Sequence, residues 1–113
     1  YSWLERNYKI KLSMEMLKEA YDLRKNDPYI TDSLGWGYYL INDFENAEKY
    51  LKKAVELMPY DPIVNDHYGD ILWMLNRKIQ ARYFWNNVLN LEETDDEMKI
   101  NVKKKIIYGI EKT

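Results

Sequence analysis

The chain's single histidine lies between two acidic residues in the segment NDHYGD, which contains Asp66, His67 and Asp70. An imidazole and two carboxylates are groups that can bind a divalent cation or exchange protons in acid–base catalysis. Asp66 and His67 are adjacent, however, so on a helix their side chains point about 100° apart. No second histidine and no cysteine supports them. We therefore interpret His67 as a solvated or hydrogen-bonded residue, and we expect no metal site, cofactor site or catalytic residue.

The composition of the 113 residues argues against several other classes of protein. Lys and Arg number 17 and Asp and Glu number 19, so the net charge of −2 provides no field that would attract nucleic acid. No apolar run approaches the roughly 20 residues of a membrane span. The sequence contains no phosphate-binding loop, nucleophile elbow or zinc-ligand spacing. We expect one non-enzymatic domain, residues 1–113, that neither binds nucleic acid nor inserts into a membrane.

Helix-forming residues occur in blocks of about a dozen, separated by Asn, Asp and Pro. Three prolines and four glycines are too few for the frequent turns of a β-rich chain. Leu34, Tyr38 and Ile41 lie three and four residues apart, which is the spacing of one helix face. These patterns predict an all-α fold.

The sequence also matches itself at an offset of 34 residues. The aligned pairs are Asp27-Pro28 with Asp61-Pro62, Gly35 with Gly69, Asn42 with Asn76, Ala47 with Ala81, and Leu57 with Leu91. A period of this length is typical of a repeat built from two helices and a turn. It divides the chain into a partial repeat at 1–26, complete repeats at 27–60 and 61–94, and a capping helix at 95–111.

Local signals predict where several helices begin and end. In the partial repeat we expect a short helix near Ser2–Arg6 and a second near Lys11–Lys25. Asp27 and Asp61 are expected to cap helices that begin at the following prolines. Asn42 and Asn76 are expected at turns in the left-handed conformation.

The last helix is predicted from its own motifs. Thr94 and Glu97 have the spacing of a capping box. An apolar stripe at four-residue spacing follows: Met98, Val102, Ile106 and Ile110. Lys103 stands where the repeats have glycine, so we expect no further helix to approach there, and this helix closes the stack.

The first complete repeat contains Leu34-Gly35-x-x-Tyr38, followed by Ala47, Leu51, Ala54 and Pro59. A looser second copy contains Tyr68-Gly69-x-x-Leu72, Ala81, Trp85 and Val88. These residues resemble the signature of the tetratricopeptide repeat family, although Thr31 and Asn65 replace its first Trp and Glu93 replaces its proline. More narrowly, the chain resembles the C-terminal repeats of bacterial members; its localisation stays open, with the cytoplasm and the envelope of a bacterium as the alternatives. The resemblance implies a right-handed α-solenoid of about seven helices.

Gly35 and Gly69 are unusual, because a glycine inside a helix destabilises it by about 1 kcal/mol relative to alanine. A flexible kink would not predict a second glycine one period later. In the family, the first helix of a repeat packs closely against the second at this glycine, which implies packing of Gly35 and Gly69 near Ala47 and Ala81. Gly37 aligns with Ile71, and the repeat does not explain it.

The resemblance also implies a concave groove, lined by the first helix of each repeat, that binds a peptide or a helix. Its positions are Tyr29, Asp32, Ser33, Trp36, Tyr39 and Leu40 in one repeat, and Ile63, Asp66, His67, Asp70, Trp73 and Met74 in the next. Helical geometry agrees, since Asp32, Trp36 and Tyr39 share a face.

The chemistry of these groove positions argues against one known ligand class. The chaperone-binding subclass of the family holds a terminal carboxylate with Lys and Asn at the positions of Asp32, Trp36, Asp66 and Asp70. Carboxylates there would repel such a ligand. We therefore predict a protein or peptide partner with basic and apolar residues, because Trp and Tyr faces accept both.

Several alternatives remain open. The groove aromatics would have a purely structural role if they filled space between neighbouring helices, and the acidic residues would then form a solvated face. We interpret the lysines of the last helix as its polar outer face rather than as a nucleic-acid site; they are Lys99, Lys103, Lys104, Lys105 and Lys112. A second class of function is structural, with the chain packing onto further repeats or associating into a homo-oligomer.

Overall fold

The computed structural model describes residues 3–110, and for residues 3–5 and 7 it describes the backbone alone. Within this range the chain forms six helices: α1 (Trp3–Leu23), α2 (Pro28–Leu40), α3 (Phe44–Leu57), α4 (Pro62–Met74), α5 (Lys78–Asn90) and α6 (Asp96–Tyr108). No strand occurs in the described residues. The predicted all-α fold is confirmed.

Helix α1 is continuous where the sequence predicted two helices, near Ser2–Arg6 and Lys11–Lys25. Ser2 lies outside the described residues. After α2 and α4 the chain turns at Asn42 and Asn76, whose φ angles of 64° and 63° confirm the predicted left-handed conformation. One period before Asn42 stands Tyr8, a bulky residue that disfavours a positive φ. The helix therefore continues through this position, and the described part of the chain has six helices rather than about seven.

The helices form two compact units, whose boundary falls between Leu57 and Met58. In the first unit, α2 packs against α3 to form a hairpin, and α1 packs against α2. In the second unit, α4 and α5 form the hairpin, and α6 packs against α5. Each unit thus consists of one helical hairpin and one further helix. No helix within residues 3–110 is both long enough and apolar enough to span a membrane.

The N-termini of α2 and α4 are capped as predicted. The Asp27 carboxylate accepts hydrogen bonds from the backbone N–H groups two and three residues ahead, at 2.9 and 3.2 Å. Asp61 accepts one from the N–H of Val64 at 3.0 Å. Pro28 and Pro62 occupy the first helical positions, where a missing N–H leaves no hydrogen bond unmade.

Two polar residues near the starts of α2 and α4, Thr31 and Asn65, are buried and hydrogen-bonded to backbone. Thr31 donates from Oγ1 to the carbonyl of Asp27 at 2.8 Å. Asn65 donates from Nδ2 to the carbonyls of Asp61 and Pro59, at 2.8 and 3.0 Å. These side chains attach each helix to the segment before it.

The N-terminus of α6 differs from its prediction. Asp95 is the N-cap, and its carboxylate accepts from the N–H of Met98 at 2.8 Å. The Thr94 hydroxyl instead donates to the carbonyl of Val88, near the end of α5, at 2.6 Å. The predicted capping box of Thr94 and Glu97 is therefore wrong, because the hydroxyl that would form it is buried and already bonded.

Candidate functional site

The predicted groove residues of the first unit lie along one side of α2. The Trp36 and Tyr39 rings stack with their centroids 4.5 Å apart and their planes 8° from parallel. Both side chains are partly exposed, as is Asp32. Tyr29 is 66% exposed and Leu40 is 53% exposed. This face of α2, defined by Tyr29, Asp32, Trp36, Tyr39 and Leu40, is called the aromatic face below.

A cleft between α1 and α2 adjoins the aromatic face. Its volume is about 310 Å³, and it is lined by Lys9, Ile10, Ser13, Met14, Leu17, Ser33, Trp36, Gly37 and Leu40. A Cβ added to Gly37 would collide with the Met14 sulfur. Gly37 thus leaves space for the Met14 sulfur, a contact between α1 and α2 that the repeat does not predict.

The predicted groove residues of the second unit are covered in part by α6. Lys105 Nζ lies 2.9 Å from Asp66 Oδ1 and 2.9 Å from Asp70 Oδ1. Asp70, expected on an open groove, is 5% exposed. It also accepts a hydrogen bond from Trp85 Nε1 of α5 at 3.1 Å. The two carboxylates of α4 are therefore neutralised in part by a lysine of the same unit.

This ion pair shifts the pKa values of its members. Burial and the neighbouring charge of Asp66 raise the pKa of Asp70 to about 6, against the opposing effects of Lys105 and Trp85. Burial alone would lower the pKa of Lys105, but the charges and hydrogen bonds of the two carboxylates raise it overall. The lysine stays protonated across the range in which Asp70 titrates.

Trp73 is also a groove residue predicted on α4, and the residues at the end of α6 and just after it restrain its side chain. Its Nε1 donates to the carbonyl of Ile110 at 3.2 Å. Gly109 ends α6 with φ of 73°, and a Cβ there would collide with the Trp73 ring. Lys78 Nζ and the Arg82 guanidinium lie 4.9 and 5.0 Å from its centroid. These contacts fix the ring, which is partly exposed.

His67 is also partly exposed on α4. Among residues 3–110, no group of three or more His, Cys, Asp or Glu side chains is arranged to hold a metal ion. The carboxylates of Asp66 and Asp70, which the sequence brings close to His67, both contact Lys105.

The repeated glycines mark close contacts between the helices of each hairpin. The three atoms nearest to a Cβ on Gly35 all belong to Leu51, the first at 2.7 Å. A Cβ on Gly69 would lie 2.5 Å from the Trp85 ring and 3.2 Å from the carbonyl oxygen of Ala81. Ala47 and Ala81 are fully buried. The residue that packs on each glycine lies one helical turn beyond the alanine.

The prediction that Lys105 belongs to the polar outer face of the last helix is wrong, because Lys105 contacts Asp66 and Asp70. Its position gave a usable signal, because it lies three residues after Val102 and seven after Met98, on the apolar stripe of α6. Lys103 and Lys104 are exposed, and Lys99 is partly exposed. Lys112 lies outside the described residues.

Comparison with known proteins shows the fold alone. No protein-family model matches the chain, and no curated protein does. Among solved structures, the chain is similar to the first TPR of Spaghetti (RPAP3) bound to HSP90 peptide SRMEEVD, with 19% identity and a TM-score of 0.75. The match covers 88% of this chain and 79% of that chain.

Proposed function

We propose that this chain, whose fold is that of a tetratricopeptide repeat domain, is a non-catalytic module that binds a peptide or helix of a protein partner. The fold is one used for protein interaction, and the similar solved structure holds a peptide. Sequence identity of 19% does not carry the ligand over, so its chemistry must come from this chain's own residues.

The observation that carries the proposal is the aromatic face of α2. The stacked Trp36 and Tyr39 rings are both partly exposed, and Leu40 on the same face is 53% exposed. Asp32 is the only charged residue in α2, which contains no Lys or Arg. A basic side chain beside an apolar anchor suits this face, because guanidinium and ammonium groups are attracted to both aromatic rings and carboxylates.

The α4 carboxylates have a different role in this proposal. Asp66 and Asp70 both hold Lys105, and Asp70 is nearly inaccessible. We assign to them the positioning of α6 rather than direct contact with the partner. The aromatic face then supplies the specificity, with Tyr29 and Tyr39 beside Trp36 as further contacts.

This chemistry separates the chain from a module that binds acidic tails. The peptide SRMEEVD ends in acidic residues around one valine. The Asp32 carboxylate would repel such a peptide. The partner proposed here therefore has Arg or Lys next to Leu, Phe or Trp.

The test is the affinity of the chain for three labelled peptides, measured by fluorescence anisotropy. The probes are SRMEEVD, a twelve-residue peptide with Arg on both sides of a central Leu-Trp, and the same peptide with Glu in place of Arg. We expect the Arg peptide to bind at least tenfold more tightly than the other two. Equal or tighter binding of SRMEEVD would contradict the proposal.

Two variants locate the binding site. Trp36→Ala should weaken binding of the Arg peptide by about tenfold or more, as for an aromatic anchor at an interface. Asp32→Lys should reverse the preference between the Arg and Glu peptides. Tyr83→Ala serves as the matched control, since Tyr83 is an exposed aromatic residue of α5. If Asp32→Lys leaves the preference unchanged, the site lies elsewhere.

A further inference from the structure

Helix α1 has an apolar stripe in addition to the face that packs. Met14 contacts Gly37 of α2, and Tyr21 meets the Tyr50 ring of α3 edge-on at 5.2 Å. Met16 lies nearly opposite Met14 around the helix. It is 65% exposed, and Leu12 and Leu23 on the same side are 46% and 85% exposed. We define the outer stripe of α1 as Leu12, Met16, Ala20 and Leu23.

The internal repeat shows what covers the corresponding residues elsewhere. Three residues of α1 have counterparts in both complete repeats: Ser13, Leu17 and Ala20. Their counterparts one period later are Ala47, Leu51 and Ala54, and those two periods later are Ala81, Trp85 and Val88. All six of these later residues are fully buried in hairpins. Tyr50, one period after Met16, stacks with Tyr38 of α2 at 5.6 Å between centroids. In α1, by contrast, Ser13 and Met16 are exposed, and Leu17 and Ala20 are only partly buried.

Helix α1 therefore has the residue pattern of the second helix of a hairpin. Within residues 3–110, no helix packs on the outer stripe of α1 as the first helix of such a hairpin would. The glycine contact defines what such a helix needs: a Cβ on Gly35 would lie 2.7 Å from Leu51 Cγ, so the approaching helix needs a very small residue there. By the same register, the small residue of an added helix would face Leu17.

Charge limits the partner further. Glu15, Glu19 and Asp22 are all exposed and recur at the four- and three-residue spacing that places them along one edge of the outer stripe. A helix with Lys or Arg along its facing edge would be complementary to these acidic residues. The α1–α2 interface also continues into the cleft lined by Ser13, so an added helix would extend an existing interface.

We propose that the outer stripe of α1 binds an amphipathic α-helix of a partner protein. The helix has glycine or alanine where it approaches Leu17, apolar residues on the same face, and Lys or Arg along one edge. The outer stripe lies on the opposite side of α1 from Met14, and this docking surface borders the aromatic face only at the cleft that Leu17 and Trp36 both line.

The probe for this surface is a labelled peptide of residues 27–43, which contains the glycine-bearing helix of a repeat. It carries the substitutions Asp32→Lys and Asp43→Lys and is called the Lys peptide. Two matched peptides are the unchanged segment and the Lys peptide with Gly35→Leu. We expect the Lys peptide to bind the whole chain at least tenfold more tightly than either matched peptide does, as measured by fluorescence anisotropy. Equal binding of the Gly35→Leu peptide would overturn the proposed close approach.

Variants of the protein locate the peptide. Met16→Asp should weaken binding of the Lys peptide at least tenfold, whereas Tyr83→Asp, at an equally exposed residue of α5, should not. Circular dichroism checks that both variants are folded. The protein variant Asp32→Lys, which acts on the aromatic face, should leave this binding unchanged. The proposal would be overturned if Met16→Asp left the binding of the Lys peptide unchanged. It would also be overturned if sedimentation showed that the wild-type chain is a dimer and that Met16→Asp dissociates it, because a second copy would then occupy the outer stripe.

Discussion

Lys105 Nζ of α6 lies 2.9 Å from Asp70 Oδ1 of α4, and this ion pair is largely shielded from solvent. Lys105 also contacts Asp66, so one ammonium serves two carboxylates. Removing one member of a buried pair leaves charge that nothing compensates, which costs far more than the intact pair contributes. The pair therefore ties α6 to α4 through the Lys105 side chain.

The first prediction concerns the removal of that side chain. Lys105→Met should lower the free energy of unfolding by about 3 kcal/mol, because the carboxyl groups of Asp66 and Asp70 would lose the ammonium that compensates them. Lys104→Met is the matched control, since Lys104 is exposed on the same helix. Urea denaturation monitored by circular dichroism measures both. Equal losses in the two variants would show that the ion pair does not stabilise α6.

The pair also predicts how stability depends on pH. The pKa of Asp70 is raised from 3.8 to about 6, so between these values the folded chain holds a proton that the unfolded chain has released. The contribution of Asp70 to stability is then largest below about pH 4 and is lost as the pH rises to about 6. At 1.36 kcal/mol for each pKa unit, the loss is about 3 kcal/mol.

The variant Asp70→Asn removes this titration. We expect the stability of the wild type relative to Asp70→Asn to increase between pH 7 and pH 4, as measured by urea denaturation at each pH. Asp32→Asn, at a carboxylate of α2, supplies the control for general effects of acid. A difference between wild type and Asp70→Asn that stays constant with pH would contradict the shifted pKa.

A third prediction concerns Gly35 of α2. Gly35→Ala should destabilise the first unit by about 1–3 kcal/mol, because the new methyl group would overlap the Leu51 side chain and press on its backbone nitrogen. Ser33→Ala, at an exposed position of the same helix, should change little. Thermal unfolding of both variants checks this, and an increase in stability for Gly35→Ala would mean that α2 and α3 do not pack closely at this residue.

The repeat explains why the close packing of Gly35 and Gly69 could be predicted from sequence. Gly35 and Gly69 recur with the same neighbours, so a contact inside one hairpin implies the same contact in the other. Gly37 has no such recurrence, since its contact is with Met14 of a helix that belongs to neither complete repeat. Contacts that occur once leave no periodic signal.

The candidate site was less predictable for a related reason. The aromatic face follows from helical periodicity, because Asp32, Trp36 and Tyr39 must share one side of any helix that contains them. The burial of Asp70 depends instead on α6, which lies roughly 35 residues further along the chain and reaches it through Lys105. Helical periodicity identifies the packed face of a helix, but it does not identify the partner of a charge on that face.

The last prediction tests the start of α6, where the capping box was wrong. Thr94→Val should cost about 1–2 kcal/mol, since it leaves the Val88 carbonyl without the buried hydroxyl that bonds it. Asp95→Ala should cost about 1 kcal/mol through loss of the N-cap. Glu97→Ala should cost much less than either, because Glu97 is exposed and Asp95 is the cap. Urea denaturation ranks the stabilities of the three variants. If Glu97→Ala were as unstable as Thr94→Val, the result would support the capping box of Thr94 and Glu97.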